Sequence, residues 1–401
     1  MCETCKNESQ HLSAHGAARR NLVKAGVGFA AGAASVGLAG SADAQTLQGD
    51  DRTGPRSVDG FGVQQPGGPV QRVGFQRRSV GPKDVAIEIL YCGLCHSDIH
   101  TVKGEWGPIQ TPCVPGHEIV GRVIGVGRDV TRFKIGDIAG VGCMVDSCGT
   151  CENCIADLEQ YCLKGSTLTY QSKADVPGGY TQGGWSQGIV VTEHFVVRMP
   201  QTGNHAGRAP LLCAGITTFS PLRHWRVEPG MRVGIIGIGG LGHMGVKLAA
   251  AERADVTAFT TSPSKIADAR RFGARDAVLS TDEKAMASHA GSYDLLISTI
   301  PKSFDASPFL LLLGLNGTLV SVGTPFELEK VTGGGLWRRR RSISASIIGG
   351  MAETQEVVDY CAARNITADI ELIRPDQINE AMNRVVGKEA RYRFVIDMKA
   401  A

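Results

Sequence analysis

The chain has 401 residues, of which 42% are hydrophobic and 20% are charged, and its formal net charge is +3. This length can hold two domains, because a single hydrophobic core rarely grows past about 250–300 residues. The composition is that of an ordinary globular protein. The small net charge gives no support for binding to nucleic acid or to an anionic membrane surface.

The first residues predict an export signal. Arg19-Arg20 precede a Gly/Ala-rich apolar run, and Ala42-Asp43-Ala44 has the small-x-small form of a cleavage site. We therefore interpret residues 1–44 as a twin-arginine-type signal, which predicts a periplasmic protein without a membrane anchor after cleavage. The alternative is an N-terminus without a targeting role, in a cytoplasmic protein. Residues 45–71 are rich in Gly, Pro and Gln and predict a flexible lead-in.

The next segment predicts a small β-rich domain. Apolar patterns predict strands at 85–90, 118–126 and 190–199, and a buried segment at 138–145. Glycines between these segments allow tight turns. Many short strands joined by glycine turns are typical of a β-barrel-like fold.

The stretch 93–118 carries two zinc-type ligands. Cys95 and His117, each followed closely by a carboxylate, form a thiolate and imidazole donor set that suits zinc better than magnesium or calcium. Two ligands do not hold a catalytic zinc alone, so we take Cys213 as the third. This set leaves the fourth position of the metal for water or substrate.

Four further cysteines are closely spaced, as Cys148-x2-Cys151-x2-Cys154-x7-Cys162. This spacing brings four sulfurs to one centre and predicts a closed, structural zinc site, so that we expect two zinc ions per chain. The alternatives are an iron–sulfur cluster or disulfides, and disulfides would follow from export of an unfolded chain. A twin-arginine route favours zinc, because the metal can bind in the cytosol before export.

After Cys213 the pattern changes to alternating strands and helices. A strand at 232–236 precedes Gly237-Ile238-Gly239-Gly240-Leu241-Gly242, and an apolar-faced helix follows at 243–252. Between a strand and a helix this motif is a strong sign of dinucleotide binding. We expect Thr299 and Val322, which end two later strands, to line the same site.

The second strand of this pattern indicates which dinucleotide binds. An NAD-preferring enzyme normally has Asp or Glu after this strand. Here the strand at 256–259 is followed by Thr260-Thr261-Ser262 and then by Lys265. Hydroxyls and an ammonium group suit a 2′-phosphate, so NADP is favoured over NAD. The alternative is that these residues only form a turn and begin a helix.

Together with the ending Tyr392-Arg393-Phe394-Val395-Ile396-Asp397, these motifs resemble a zinc-dependent medium-chain alcohol dehydrogenase of the cinnamyl alcohol dehydrogenase branch. The two-cysteine, one-histidine ligand set is the one that zinc alcohol dehydrogenases use. The resemblance implies an α/β protein. A GroES-like β-rich catalytic domain, 72–212 and 351–401, is interrupted by a Rossmann doubly wound parallel-sheet domain that binds NADP, 213–350.

The resemblance also assigns roles around the zinc. Asp98 would hydrogen-bond His117, and Glu118 is a nearby carboxylate that could exchange onto the metal. Ser97 and His100 would pass the alcohol proton toward solvent. The resemblance also implies a homodimer, in which the strand at 343–348 pairs with its copy across the interface.

These expectations describe an NADP(H)-dependent alcohol dehydrogenase or aldehyde reductase that moves hydride between nicotinamide and a primary alcohol or aldehyde. Plant members of the branch generally place a tryptophan five residues after the last structural cysteine, where this chain has Thr167. We therefore expect a broad range of aldehydes, aromatic ones included. The alternatives are a polyol or formaldehyde-type zinc dehydrogenase, and a non-catalytic zinc or redox-sensing relative.

Overall fold

The computed structural model of the chain describes residues 54–323 and 327–400. The predicted signal, residues 1–44, and the beginning of the predicted lead-in lie outside these ranges. Within them, no helix combines the length and the apolar character needed to cross a bilayer.

The strands are numbered in chain order: β1 (Arg56–Gly62), β2 (Gln71–Arg77), β3 (Asp84–Leu94), β4 (Ile119–Val126), β5 (Ile138–Val141), β6 (Met144–Asp146), β7 (Thr167–Leu168), β8 (Gly188–Thr192), β9 (Val197–Arg198), β10 (Arg232–Ile236), β11 (Asp255–Thr260), β12 (Asp276–Leu279), β13 (Tyr293–Ser298), β14 (Phe304–Asp305), β15 (Leu313–Ser321), β16 (Leu328–Glu329), β17 (Ser342–Ala345), β18 (Ile370–Ile373) and β19 (Arg393–Asp397).

The α-helices are numbered in the same way: α1 (His96–Lys103), α2 (Glu152–Ile155), α3 (His205–Arg208), α4 (Ala214–His224), α5 (Gly240–Ala251), α6 (Ile266–Arg271), α7 (Glu283–Ser288), α8 (Ser307–Leu312), α9 (Gly333–Trp337), α10 (Met351–Ala363) and α11 (Ile378–Val386).

A seven-stranded sheet forms the β-rich part of the protein. Its order is β18-β19-β3-β4-β5-β9, and β8 also pairs with β3. The long strand β3 runs antiparallel to β4, β8 and β19, so it is the centre of the sheet. Its apolar side chains, such as Val85 and Ile87, are buried in the core. The last strand of the described chain, β19, therefore pairs with β3, which comes about 300 residues earlier.

The strand pattern predicted at 190–199 corresponds to two short strands, β8 and β9, and not to one continuous strand. A single 3-10 turn, Glu193–Phe195, separates β8 from β9. Glu193 fixes this corner, since its backbone N–H donates to the carbonyl oxygen of Lys83 at 2.8 Å and its carboxylate accepts from the N–H of Thr131 at 2.8 Å. The corner lets β8 pair with β3 while β9 pairs with β5.

The flexible lead-in predicted up to residue 71 was wrong where the structure describes it. Strands β1 and β2 form an antiparallel pair in continuous register from Arg56↔Arg77 to Gly62↔Gln71. The following Val63 is fully buried, and its N–H donates to the carbonyl oxygen of Cys113 at 3.0 Å. The local composition is poor in apolar residues, but distant backbone groups complete the strand's hydrogen bonds.

A six-stranded parallel sheet forms the second part. Its order is β12-β11-β10-β13-β15-β17, with every neighbouring pair parallel. Counted from β10, this is the 3-2-1-4-5-6 order of the doubly wound dinucleotide-binding fold. All six strands lie inside the predicted segment 213–350, and the strands of the seven-stranded sheet lie outside it. The domain limits themselves stay predictions.

Candidate active site

Three separate segments bring one buried cluster together. Cys95 directly follows β3 and precedes α1, while His117 and Glu118 directly precede β4. Because β3 and β4 are antiparallel, with Cys92 opposite Ile119, the end of one strand lies beside the start of the other. Cys213 precedes α4. One donor atom from each of Cys95, His117, Glu118 and Cys213 lies within 4.8 Å of the others.

The spacing of these atoms fits a zinc ion. Cys95 Sγ lies 4.0 Å from Cys213 Sγ, and His117 Nε2 lies 3.2 Å from Cys213 Sγ. A tetrahedral zinc with bonds of about 2.0–2.3 Å places a nitrogen and a sulfur ligand about 3.5 Å apart and two sulfur ligands about 3.8 Å apart, so each separation here differs from the ideal one by about 0.3 Å or less. A disulfide would need the two sulfurs about 2.05 Å apart, so the cysteines remain thiols. The donor set is therefore chemically and geometrically suited to zinc.

Asp98 holds the residues of the cluster in place through its carboxylate. It is fully buried, and its carboxylate accepts from the N–H groups of Cys95 at 2.8 Å and Gly116 at 3.0 Å. Its Oδ1 also lies 3.1 Å from His117 Nδ1. Burial by itself lowers the pKa of His117, but the charge of Asp98 raises it well above its usual value. Asp98 thus holds the imidazole with Nε2 directed at the cluster, which is the usual arrangement around a metal-binding histidine.

Glu118 and Arg393 form a buried ion pair beside the cluster. Arg393 Nη2 lies 3.0 Å from Glu118 Oε1, and the two side chains are 3% and 0% exposed. The contact lacks hydrogen-bond geometry: in the described chain, both Glu118 oxygens and Arg393 Nε and Nη2 have no hydrogen-bond partner. Burial raises the pKa of Glu118 to about 7, against the opposing effect of the Arg393 charge. Both groups therefore keep unused hydrogen-bonding capacity beside the cluster.

Arg393 is a site residue that the sequence motifs did not identify. Its Nη1 donates to the carbonyl oxygen of Leu94 at 3.2 Å, and a Cβ added at Gly240 would lie 2.9 Å from its Cζ. The guanidinium therefore stands between the metal-type cluster and the start of α5. The available signal was an arginine at the start of a strand whose next three residues are apolar.

Tyr170 was also missed. Its ring centroid lies 5.6 Å from that of His117, and burial together with the charge of Asp98 raises the pKa of its hydroxyl well above the usual value. Thr167 lies in β7 and pairs with Asp146. The aromatic wall beside His117 therefore comes from Tyr170.

The two residues expected to relay a proton lie on α1. Ser97 Oγ is 3.7 Å from Cys95 Sγ. His100 contacts Glu105 through Nδ1 and stacks on Trp106, with ring centroids 5.1 Å apart. Ser97 is thus next to the cluster and His100 is one helical turn further along. Their role in proton transfer stays a prediction.

The four closely spaced cysteines form a second cluster. One sulfur from each of Cys148, Cys151, Cys154 and Cys162 lies within 4.8 Å of the others. Backbone N–H groups point at these sulfurs, for example that of Leu163 toward Cys151 Sγ at 3.4 Å. The N–H groups of Thr150 and Cys151 lower the pKa of Cys148 to about 5. Such amide donors favour thiolates, which are the form that binds zinc.

The glycine motif forms the turn between β10 and α5. Gly237 has φ +87°, which favours glycine, and a Cβ at Gly242 would lie 1.8 Å from the carbonyl oxygen of Gly237. By contrast, a Cβ at Gly239 would meet nothing within 4 Å. Gly239 therefore borders open space in front of the 12-residue helix α5. Gly240 and Leu241, the other two predicted residues of the motif, are the first residues of this helix. This space fits a pyrophosphate approached by backbone N–H groups.

Two other predicted cofactor residues hold the edge of this turn. Thr299 Oγ1 donates to the carbonyl oxygen of Gly237 at 2.8 Å. Val322 directly follows β15, and its N–H donates to the carbonyl oxygen of Ser298 at 2.9 Å. Both residues thus lie at the carboxyl edge of the parallel sheet, where dinucleotides bind in such folds.

The residues after β11 form the predicted ribose end of the site. Thr260 and Lys265 are buried, Ser262 is half-buried and Thr261 is exposed. The hydroxyl of Thr260 accepts from the N–H of Ser262 at 3.2 Å, which is the expected turn. The turn and a phosphate site are compatible, because this bond leaves the hydroxyls of Thr261 and Ser262 available.

Comparison with known proteins agrees with this geometry. Residues 81–201 match the family model of the alcohol dehydrogenase GroES-like domain, and residues 240–363 match that of the zinc-binding dehydrogenases. The chain is 49% identical to NADP-dependent alcohol dehydrogenase C 1 of Mycolicibacterium smegmatis, over 82% of this chain and 94% of that protein. It is also 49% identical to aldehyde reductase YahK of Escherichia coli, over 85% and 97% of the two chains.

A solved structure gives the same result. The cinnamyl alcohol dehydrogenase SbCAD4 of Sorghum bicolor superposes with a TM-score of 0.83 at 39% sequence identity, covering 86% of this chain and 99% of that one. The family models and this neighbour confirm the predicted fold class, a GroES-like domain combined with a Rossmann domain. The chain belongs to the zinc-dependent medium-chain alcohol dehydrogenases, in their cinnamyl alcohol dehydrogenase branch.

Proposed function

We propose that this enzyme is an NADP(H)-dependent aldehyde reductase with a broad substrate range that includes aromatic aldehydes. The observation that carries the proposal is the convergence of two sites. Arg393 contacts Glu118 of the metal-type cluster on one side and lies against Gly240 of the dinucleotide turn on the other. Relatives named as NADP-dependent alcohol dehydrogenase and as aldehyde reductase support the cofactor and the reaction.

The residues of the cluster would hold zinc, with Cys95, His117 and Cys213 as ligands and Glu118 close enough to exchange. When bound, zinc would polarise the substrate carbonyl and NADPH would supply the hydride. Asp98 keeps His117 Nε2 directed at the cluster, and the burial of all four side chains limits water at the reacting atoms.

Reduction of an aldehyde also needs a proton on the carbonyl oxygen. Ser97 Oγ is the hydroxyl placed beside Cys95, and His100 follows on α1. In the proposed reaction, Ser97 gives the proton and His100 restores it from solvent, and alcohol oxidation moves the proton the other way.

A substrate and cofactor panel tests this proposal. We expect kcat/KM with NADPH to exceed that with NADH by roughly 10- to 100-fold, because one or two charge-assisted hydrogen bonds to the 2′-phosphate strengthen binding by about this factor. We expect benzaldehyde and aliphatic aldehydes to be reduced with kcat/KM values within about tenfold of each other, because differences in apolar contact discriminate weakly between substrates. Turnover confined to formaldehyde or a polyol would support the alternative dehydrogenases, and no turnover would support a non-catalytic relative.

We also propose a homodimer through the edge of the parallel sheet. Strand β17 is the terminal strand of that sheet, and large apolar side chains nearby are exposed, including Trp337 at 73% and Ile347 at 56%. Unpaired strand edges and exposed apolar side chains favour association with a second copy. Sedimentation of the purified protein as a monomer at micromolar concentration would refute this interface.

Export by the twin-arginine route is a further proposal, supported by the sequence of residues 1–44. Such export fits a protein that folds around its zinc before it crosses the membrane. Cell fractionation tests it: the cleaved chain is expected in the periplasm, and an uncleaved chain in the cytosol would contradict the proposal.

A further inference from the structure

Two cations from distant parts of the sequence meet after β11. Lys265 lies in the turn that follows this strand, and Arg391 lies just before β19. Arg391 Nη2 donates to Ser264 Oγ at 3.0 Å, and Lys265 Nζ lies 5.5 Å from the ring centroid of the adjacent Tyr392. The seven-stranded sheet therefore places an arginine at the predicted ribose end of the dinucleotide site.

The positive charge at this place is poorly balanced by the protein. In the described ranges, Lys265 is buried and no carboxylate oxygen lies within 4.0 Å of its Nζ. Asp268 is the nearest acid to Arg391, at 3.9 Å, and it already accepts from Tyr392 at 2.5 Å and from Arg271 at 3.1 Å. Lys265 is the buried cation of the two, and a buried cation without a matched anion is unfavourable, so an anionic ligand would complete the site.

Arg391 also has a donor to spare. Its Nη1 is buried and has no hydrogen-bond partner in the part of the chain that the structure describes. Its backbone is held independently, because its N–H donates to Glu371 Oε1 at 2.9 Å and Glu371 pairs with Arg384 at 2.6 Å. A planar guanidinium on a fixed backbone is well suited to a phosphate, since it offers parallel N–H donors.

We propose that Arg391, with Ser264 and Lys265, binds the 2′-phosphate of NADP and sets the preference for NADP over NAD. This inference rests on the proposed function. It adds that selectivity depends on a residue outside the dinucleotide-binding sheet. The 2′-phosphate would then join the turn after β11 to the segment before β19.

Calorimetric titration of the full-length, zinc-loaded protein with 2′,5′-ADP and with 5′-AMP tests the assignment. We expect Arg391→Gln to weaken binding of 2′,5′-ADP by roughly 10- to 100-fold and to leave 5′-AMP binding unchanged, because only the first ligand carries the phosphate. Arg391→Lys should recover part of the loss. Arg270→Gln is the matched control, since Arg270 lies on α6 and faces Asp276 at 3.6 Å.

The outcomes separate the two proposals. Equal weakening of both ligands by Arg391→Gln, or no weakening of either, would overturn the role of Arg391. If instead the wild-type protein binds 2′,5′-ADP no more tightly than 5′-AMP and uses NADH as well as NADPH, the proposed NADP dependence itself fails. Thermal unfolding of each variant with and without 5′-AMP verifies that the ribose site is folded.

The same site predicts a pH dependence. Burial and, to a smaller extent, the charges of Arg391 and Lys388 together lower the pKa of Lys265 to about 8, while the charge of Asp268 opposes them. Without ligand, Lys265 therefore loses its proton as the pH rises through about 8, whereas a 2′-phosphate remains dianionic above about pH 6. We expect the affinity for 2′,5′-ADP relative to 5′-AMP to fall between pH 7 and pH 9. A ratio that stays constant or rises over this range would contradict the role of Lys265.

Discussion

The His117→Ala variant is expected to fold, to retain one zinc per chain instead of two, and to reduce aldehydes at least about a thousandfold less efficiently than the wild type. His117 Nε2 lies 3.2 Å from Cys213 Sγ, at the centre of the first cluster. Without the imidazole, two thiolates remain and the tetrahedral set is incomplete. Loss of metal-ion polarisation removes several kcal/mol of transition-state stabilisation, and each 1.4 kcal/mol is about tenfold in rate.

Two controls make this result specific. His224→Ala removes an exposed histidine at the end of α4 and should keep both zinc ions and full activity. Cys148→Ser should lose the other zinc, from the four-cysteine cluster, and should lower the unfolding temperature. A His117→Ala protein that keeps two zinc ions and wild-type kcat/KM would show that the first cluster is not the catalytic metal site.

Gly239→Ala and Gly242→Ala are expected to change different properties: Gly242→Ala lowers the stability of the fold, and Gly239→Ala weakens NADPH binding. A Cβ at Gly242 would lie 1.8 Å from the carbonyl oxygen of Gly237, and backbone atoms do not move aside easily. We expect Gly242→Ala to lower the free energy of unfolding by roughly 1–3 kcal/mol or more, as overpacking does. Gly239 has a negative φ of −121°, and a Cβ added there would meet no neighbouring atom within 4 Å.

The Gly239→Ala protein should therefore be as stable as the wild type, to within about 0.5 kcal/mol. Its Cβ would occupy the space through which the backbone approaches the pyrophosphate, so we expect NADPH to bind at least about tenfold more weakly. Thermal unfolding and NADPH fluorescence titration measure the two effects on the same samples. Unchanged NADPH affinity in a stable Gly239→Ala protein would show that the pyrophosphate does not bind at this turn.

The features predicted best from the sequence are those whose residues lie close together along the chain. The cysteines at 148–162 form one cluster because a few residues connect them, and the motif at 237–242 forms a turn because it directly joins β10 to α5. The helix begins at Gly240, three residues before its predicted start. Glycines have low helix propensity, but the turn that they form already has the first helical hydrogen bonds, such as His243 N–H to the carbonyl oxygen of Gly239 at 3.0 Å.

The residues that the sequence did not reveal act through long-range packing. Arg393 reaches Glu118, Tyr170 reaches His117, and Arg391 reaches Ser264, and none of these pairs is close in the sequence. Strand β1 was missed for the same reason, since its hydrogen-bond partners come from β2 and from distant loops. Local periodicity carries no information about such contacts.

Native mass spectrometry of the purified protein tests the central claim most directly, because it counts the metal ions on the folded chain. The arrangement of the two clusters predicts two zinc ions per chain, with Cys95 protected from alkylation and aldehydes reduced at the expense of NADPH. One zinc per chain, together with an alkylatable Cys95 and no carbonyl turnover, would contradict it.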